Sequence, residues 1–187
     1  MKKVLLFGAL VVLAACNSNQ PAASTDTKAA TDTTATIAAP VVAEIKSPYP
    51  VAYSSKFAMD DPKNAETLLS IWKDWDNGDL SAGKDKFADS LTLNLNDGTV
   101  LHGGRDSILN VMQKFRSSFA KAVSNVSAVM AVKSTDKNEN WALIWGDETD
   151  TDKKGKATTF SLQETWRFNK DGKADLVFQT MAKSPKK

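Results

Sequence analysis

From Trp141 to Ala182 the chain alternates bulky and polar side chains through three consecutive segments, a spacing no helix accommodates. Trp141, Leu143 and Trp145 put the bulk at odd positions, whereas Phe160, Leu162, Trp166 and Phe168 put it at even ones. Each segment reads as a strand with one heavy face, because successive side chains on a strand point to opposite sides. The stretch from Lys153 to Lys156 reads as the first turn. Taken as an even-numbered loop, it pairs odd residues with even ones and brings Trp141, Trp145 and Trp166 onto one face. Asp171-Gly172 marks the second turn, a three-residue loop with Gly172 left-handed, after which Ala174, Leu176 and Phe178 are expected on that same face. Asp147 and Glu164 interrupt the resulting aromatic wall.

The front of the chain is of a different kind. Lys2 and Lys3 precede an apolar run from Val4 to Ala15, the layout of a secretory leader and too short for a comfortable membrane span. Leu13-Ala14-Ala15-Cys16 resembles the lipobox of bacterial lipoproteins, which implies a signal peptide over residues 1–15, cleavage before Cys16, and lipidation of that residue. Several acyl chains on one residue hold a protein stably on a bilayer. Cys16 is the only cysteine, so its lipidation leaves no thiol for a disulfide, a zinc site or a nucleophile. Asn17 rather than Asp follows it, which by resemblance to the enterobacterial sorting pattern permits transport to an outer membrane. The expected location is the cell envelope. Residues 16–46 then form a lipidated cysteine and a tether of Ala, Thr, Ser and Pro without an aromatic side chain, a composition that cannot bury enough apolar surface to fold.

A single domain is expected over 47–187, with its core at about 64–182. Tyr49, Tyr53 and Phe57 suggest a lead-in strip packed on the domain. Asp61-Pro62 has the chemistry of a helix start, Ala65, Leu68, Leu69, Trp72 and Trp75 follow helical spacing, and Asn77-Gly78 supplies the stop. Ser81 is expected to open a short second helix carrying Phe87. Leu91, Leu93 and Leu95 alternate as a strand up to Asp97-Gly98. Ile108, Val111, Met112, Phe115, Phe119 and Ala122 fall on one helical stripe, and Val126 to Val132 alternate as a strand. Helices early and strands late imply an α+β domain with helices on one face of an antiparallel sheet.

That order is similar to the nuclear transport factor 2-like superfamily, especially its SnoaL-like members. Three stretches carry the resemblance: Ile71 to Leu80, Asn96 to Ile108, and Trp166 to Lys173. It implies a cone-shaped fold in which a curved antiparallel sheet wraps a cavity closed by helices on its concave face. Trp141, Trp145, Trp166 and Phe168 would line that cavity, with Trp72 and Trp75 from the helix side. The opposite sheet face, with Ala142, Ile144, Gln163, Thr165 and Arg167, commonly makes a homodimer in this family. Aromatic stripes at strand and helix spacing are more often ordinary core, since each ring offers much area to bury.

The balance of charge, +2 over the whole chain, gives no electrostatic footprint for nucleic acid. One histidine, His102, and no free cysteine leave no evident metal set, and no cofactor-binding pattern is present. Asp147 to Asp152, followed by three lysines, reads mostly as a solvated hairpin tip. The acids expected inside the wall are Glu164 and Asp147. A carboxyl enclosed by rings loses hydration, which suits general acid or base work; its bland alternative is a structural ion pair. Two functions are therefore expected in competition. One is an envelope module whose Trp-lined cavity binds a small apolar ligand, or serves in assembly, without catalysis. The other is a SnoaL- or ketosteroid-isomerase-like enzyme moving a proton through Glu164 or Asp147.

Overall fold

The computed structural model describes residues 45–184. The expected leader, Cys16 and all but the end of the tether lie outside the described residues. The chain runs β1 (Phe57–Met59), α1 (Lys63–Asn77), a 3-10 turn (Lys84–Lys86), β2 (Phe87–Asn94), β3 (Val100–Gly104), α2 (Arg105–Arg116), β4 (Phe119–Ser134), β5 (Glu139–Asp152), β6 (Ala157–Phe168) and β7 (Ala174–Lys183). All seven strands join one sheet in the order β1-β4-β5-β6-β7-β2-β3. Every neighbouring pair is antiparallel except β2 beside β7, which is parallel. This is the expected α+β architecture, and the lead-in strip contributes β1 as an edge strand on β4.

The first helix starts and stops where its sequence says. The Asp61 side chain accepts the Lys63 amide at 2.9 Å, and Gly78 ends the helix in the left-handed conformation. Its buried stripe is Ala65, Leu68, Ile71 and Trp72. Leu68 and, on β5, Ile144 are wholly enclosed, worth roughly 1.5–3 kcal/mol each for their apolar area. The second long helix is shorter than its stripe implied. Phe119 and Ala122 belong to β4, because the helix ends at Ser117-Ser118, whose hydroxyls donate to the carbonyls of Gln113 and Phe115 and satisfy its last turn. Phe87 likewise opens β2 instead of riding a second helix.

The register of the β5–β6 hairpin corrects the expected aromatic wall. Trp141 pairs with Arg167 and Trp145 with Gln163, so odd residues meet odd ones. The loop has three residues, 153–155. Asp152 closes it with a bond from its amide to the Lys156 carbonyl at 3.0 Å, and Gly155 takes φ 84°. One residue fewer in the loop moves Trp141, Trp145 and Asp147 to the opposite face of the sheet from Trp166 and Glu164. The same slip turns Ala142, Ile144, Gly146, Glu148 and Asp150 inward. In the next hairpin the three-residue loop with Gly172 left-handed forms as expected. A bulge beside Phe168 and Ala174 then shifts the phase, so that Trp166 pairs with Val177 and Glu164 with Gln179. Leu176 and Phe178 consequently face outward, Phe178 being 47% exposed.

On the inner face, Trp72 lies across β5 where it passes Gly146. A Cβ at Gly146 would stand 2.7 Å from the Asn125 carbonyl oxygen and 3.1 Å from the Trp72 ring. Only glycine permits that approach. The joint between the helices is polar. Buried Arg116 donates to the carbonyls of Trp75 at 2.6 Å and Asp76 at 3.0 Å, satisfying the end of α1. Gln113 on α2 bonds the Leu80 amide and the Gly78 carbonyl, and Asp76 accepts from the amide and hydroxyl of Ser124 on β4.

Candidate functional site

Between the concave sheet face and the two helices lies a cavity of about 570 Å³, within the range usual for small-molecule sites. Leu91 and Leu93 of β2, Leu109 and Met112 of α2, and Leu162 and Met181 of β6 and β7 supply aliphatic wall. Trp72, Trp75, Phe87, Phe115, Phe160 and Trp166 supply rings. Phe115 stacks between Trp75, at 6.1 Å, and Phe119, at 5.3 Å. It is 56% exposed and Val111 is 48% exposed, so the α2 side forms the mouth.

Of the residues expected to form the site, the structure gathers Trp72, Trp166 and Glu164 at the cavity wall. Phe168 is on the same sheet face but sealed in the core beneath, 2% exposed. Trp141 and Trp145 are on the other face. Trp141 is covered by Tyr53 of the lead-in strip, edge-on at 6.0 Å, and donates to its hydroxyl at 3.2 Å. Arg167 lies over the Trp141 ring and bonds Asp175 at 2.9 Å. Asp147 accepts from Ser161 at 2.8 Å on that outer face, away from the cavity. His102 is exposed beside Thr92.

Glu164 is buried and fully engaged. One carboxylate oxygen accepts the indole N–H groups of Trp72 at 2.8 Å and Trp166 at 2.9 Å, and the other accepts the Gln179 amide at 2.8 Å. These bonds tie α1, β6 and β7 together across the cavity floor. Three donors and no cation make it a bracket for two rings of the wall, with both oxygens engaged.

The residues that sequence reasoning missed are Glu148 and Asp150. Both line the cavity from β5, two residues apart on one face. Burial first, then the negative charge of Asp150 and a hydrogen bond to it, pushes the Glu148 carboxyl up to about 8 from an ordinary 4.5, with Glu164 acting in the same direction. Burial also raises Asp150, against the hydrogen bond from Glu148 and the charge of Arg116. Two carboxyls two residues apart on one buried strand face, both raised, favour holding a single proton between them over carrying two charges. Asp150 is 8% exposed, and its Oδ1 is buried with no hydrogen-bond partner; the indole N–H of Trp75, buried without an acceptor of its own, faces Glu148. The pair can take up, hold or release a proton inside a largely apolar chamber. Among the described residues, no group of three or more His, Cys, Asp or Glu side chains converges as metal ligands.

A legible signal for this pair lies in the turns. Asp152-Lys-Lys-Gly-Lys156 and Asn169-Lys-Asp-Gly-Lys173 share a pattern, and both fold identically. In each, the first residue's side chain accepts the amides two and four positions on. Reading the first loop by analogy with the second gives the correct parity and turns Glu148 and Asp150 inward.

No family model matches the chain, and no curated protein matches it in sequence. Solved structures do share its fold. An epoxide hydrolase of M. tuberculosis described as LEH-like is 9% identical, covering 64% of this chain and 83% of that one with a TM-score of 0.54. An NTF2-like protein of unknown function from Burkholderia pseudomallei is 16% identical, covering 64% and 91% with a TM-score of 0.52. The epoxide hydrolase/cyclase-like enzyme SalBIII, of pyran ring formation in polyether salinomycin, is 14% identical, covering 66% and 93% with a TM-score of 0.53. The fold is thus the nuclear transport factor 2-like one, a curved, mostly antiparallel sheet with helices on its concave face.

Proposed function

We propose that this protein is an envelope-anchored binding module whose cavity holds a small, largely apolar molecule. The observation that carries the reading is the 570 Å³ chamber itself. Its rings pack into the wall and leave the space between them open, with Trp72 and Trp166 pinned there by Glu164. A purely structural core would close that space, because empty volume forfeits contacts. The neutral fluorophore N-phenyl-1-naphthylamine should bind one to one with enhanced emission. Met112→Trp, which fills the chamber from α2, should abolish that binding without unfolding the domain. Equal binding by the variant would remove the cavity as the site.

The anchor in this reading is Cys16, lipidated and followed by the tether, with the outer membrane favoured over the inner in a two-membrane cell. Cys16→Ser should lose incorporation of labelled palmitate in cells; equal labelling would sink the anchor. A homodimer through the outer sheet face completes the proposal. The exposed Phe178, beside Thr165 on β6, supports that use of the face.

A second reading is catalytic, and the observation favouring it is the Glu148–Asp150 pair. A carboxyl that keeps its proton near neutrality beside one that can accept it has the form of a general acid–base couple. Epoxide hydrolase-like and cyclase-like chemistry among proteins of this fold is compatible with such a couple. Fold likeness alone assigns no reaction. In this reading the proton-moving role expected of Asp147 or Glu164 passes to Glu148 and Asp150.

A further inference from the structure

We propose that the cavity's occupant is an amphiphilic organic cation, an amine on an apolar or aromatic skeleton, whose ammonium group sits against Glu148 and Asp150. This deepens the ligand-binding reading and rests on it.

The carboxyls around the chamber are not equivalent. Asp97 accepts the Thr99 amide, and Asp152 accepts the amides of Lys154 and Lys156, so both are occupied in building turns. Glu164 already accepts three N–H groups, from Trp72, Trp166 and Gln179. Asp150 lines the wall with its Oδ1 buried and unpartnered, and Glu148 beside it has the indole N–H of Trp75 turned toward it. The nearest cation does not serve them. Arg116 turns its guanidinium to the carbonyls of Trp75, Asp76 and Phe119 and reaches Asp150 only through its field.

A neutral apolar ligand would cover this pair and leave it unsatisfied, which costs free energy. A carboxylate ligand would add repulsion. An ammonium group supplies the missing donors and the missing charge together, and its alkyl or aryl body meets the rings and Leu, Met and Phe side chains beyond. Trp75 beside Glu148, with Phe115 and Phe119 following on in the same wall, adds attraction between a cation and the faces of aromatic rings.

The shared proton gives the proposal a second readout. Groups facing the pair are Arg116 from α2, Asp76 at the end of α1, Glu164 from β6 and, at the mouth, Lys156 just after the β5–β6 loop. None of them bonds to the pair in place of the proton on Glu148. An arriving ammonium replaces that proton, so binding at neutral pH must release it to the buffer.

The experiment compares n-octylamine, 1-octanol and octanoate on the purified full chain by calorimetry at pH 7. Octylamine should bind at least tenfold tighter than octanol, and octanoate more weakly than either. The enthalpy for octylamine should vary with buffer ionisation as expected for release of up to one proton. The double variant Glu148→Gln, Asp150→Asn should lose the preference for the amine. Octanol binding as tightly as octylamine, or octanoate binding tighter, overturns the cation and leaves the cavity reading standing. No binding by any of the three overturns both. Amine binding without proton release in the wild type overturns the assignment to this pair, whatever the fate of the variant.

Discussion

Replacing Glu148 with glutamine should change how stability depends on pH, and the sign follows from the buried pair. In the folded protein Glu148 holds its proton up to about 8, whereas a free glutamate loses it near 4.5. Between those values the native state binds a proton that the unfolded chain has already released, so stability falls as pH rises. The contribution is whole below 4.5 and gone above about 8. At about 1.4 kcal/mol per pH unit the ceiling is roughly 5 kcal/mol. Partial exposure of Glu148 and sharing of the charge with Asp150 reduce it, and about 2–4 kcal/mol is the expected loss. The substituted glutamine would carry no charge, and its amide can donate to Asp150 as the carboxyl proton does. Urea unfolding from pH 5 to 9 should therefore show a falling wild-type midpoint, a flatter profile for Glu148→Gln, and a variant more stable than wild type at pH 9. His102, the only histidine, lies exposed and away from the pair. A wild-type midpoint that is flat or rises with pH, or a variant that keeps the wild-type slope, would refute the shared proton.

Other consequences are checked by the same unfolding assay or by sedimentation. Gly146→Ala puts a methyl 2.7 Å from the Asn125 carbonyl and against Trp72 and should cost about 1–3 kcal/mol; a neutral result would mean that Trp72 does not pack there. Glu164→Gln replaces one accepting oxygen by an NH2 group facing N–H donors and should cost about 1–3 kcal/mol, with unchanged stability refuting the three-donor bracket. A fragment of residues 47–187 should fold cooperatively and sediment as a dimer, and Phe178→Asp on the outer sheet face should yield a monomer. A wild-type monomer at high concentration would remove the dimer alone.

Most element types were legible because they rest on local chemistry; Phe87, Phe119 and Ala122, expected on helices and found in strands, were the exceptions. Asp61-Pro62 and Asn77-Gly78 bracket α1 as their side-chain and backbone preferences require, and the alternation from Trp141 onward gives three strands. Which face each strand presents was not legible to the same degree, since parity depends on loop length and bulges. One residue in the loop after Asp152 exchanged Trp145 and Asp147 for Glu148 and Asp150, and the bulge before Leu176 turned Phe178 outward. Glu164 was placed correctly relative to Trp166 because both sit on one uninterrupted strand. Its partners were not, because Trp72 is 92 positions away in sequence and only packing of α1 over Gly146 brings it there. The carboxyl pair looked like a solvated hairpin tip, as runs of acids usually are; only the inward turn of β5 buries it.

The central claim, a ligand chamber on the concave face, is tested most directly by the indole N–H resonances of the five tryptophans during titration with 1-octanol and n-octylamine. Trp72, Trp75 and Trp166 line the chamber, whereas Trp141 and Trp145 lie on the other side of the sheet. The three cavity resonances should shift in a saturable, one-to-one manner, with Trp75 responding most to the amine, while Trp141 and Trp145 stay in place. Saturable shifts confined to Trp141 and Trp145, or no saturable shift in any of the five, would contradict the claim.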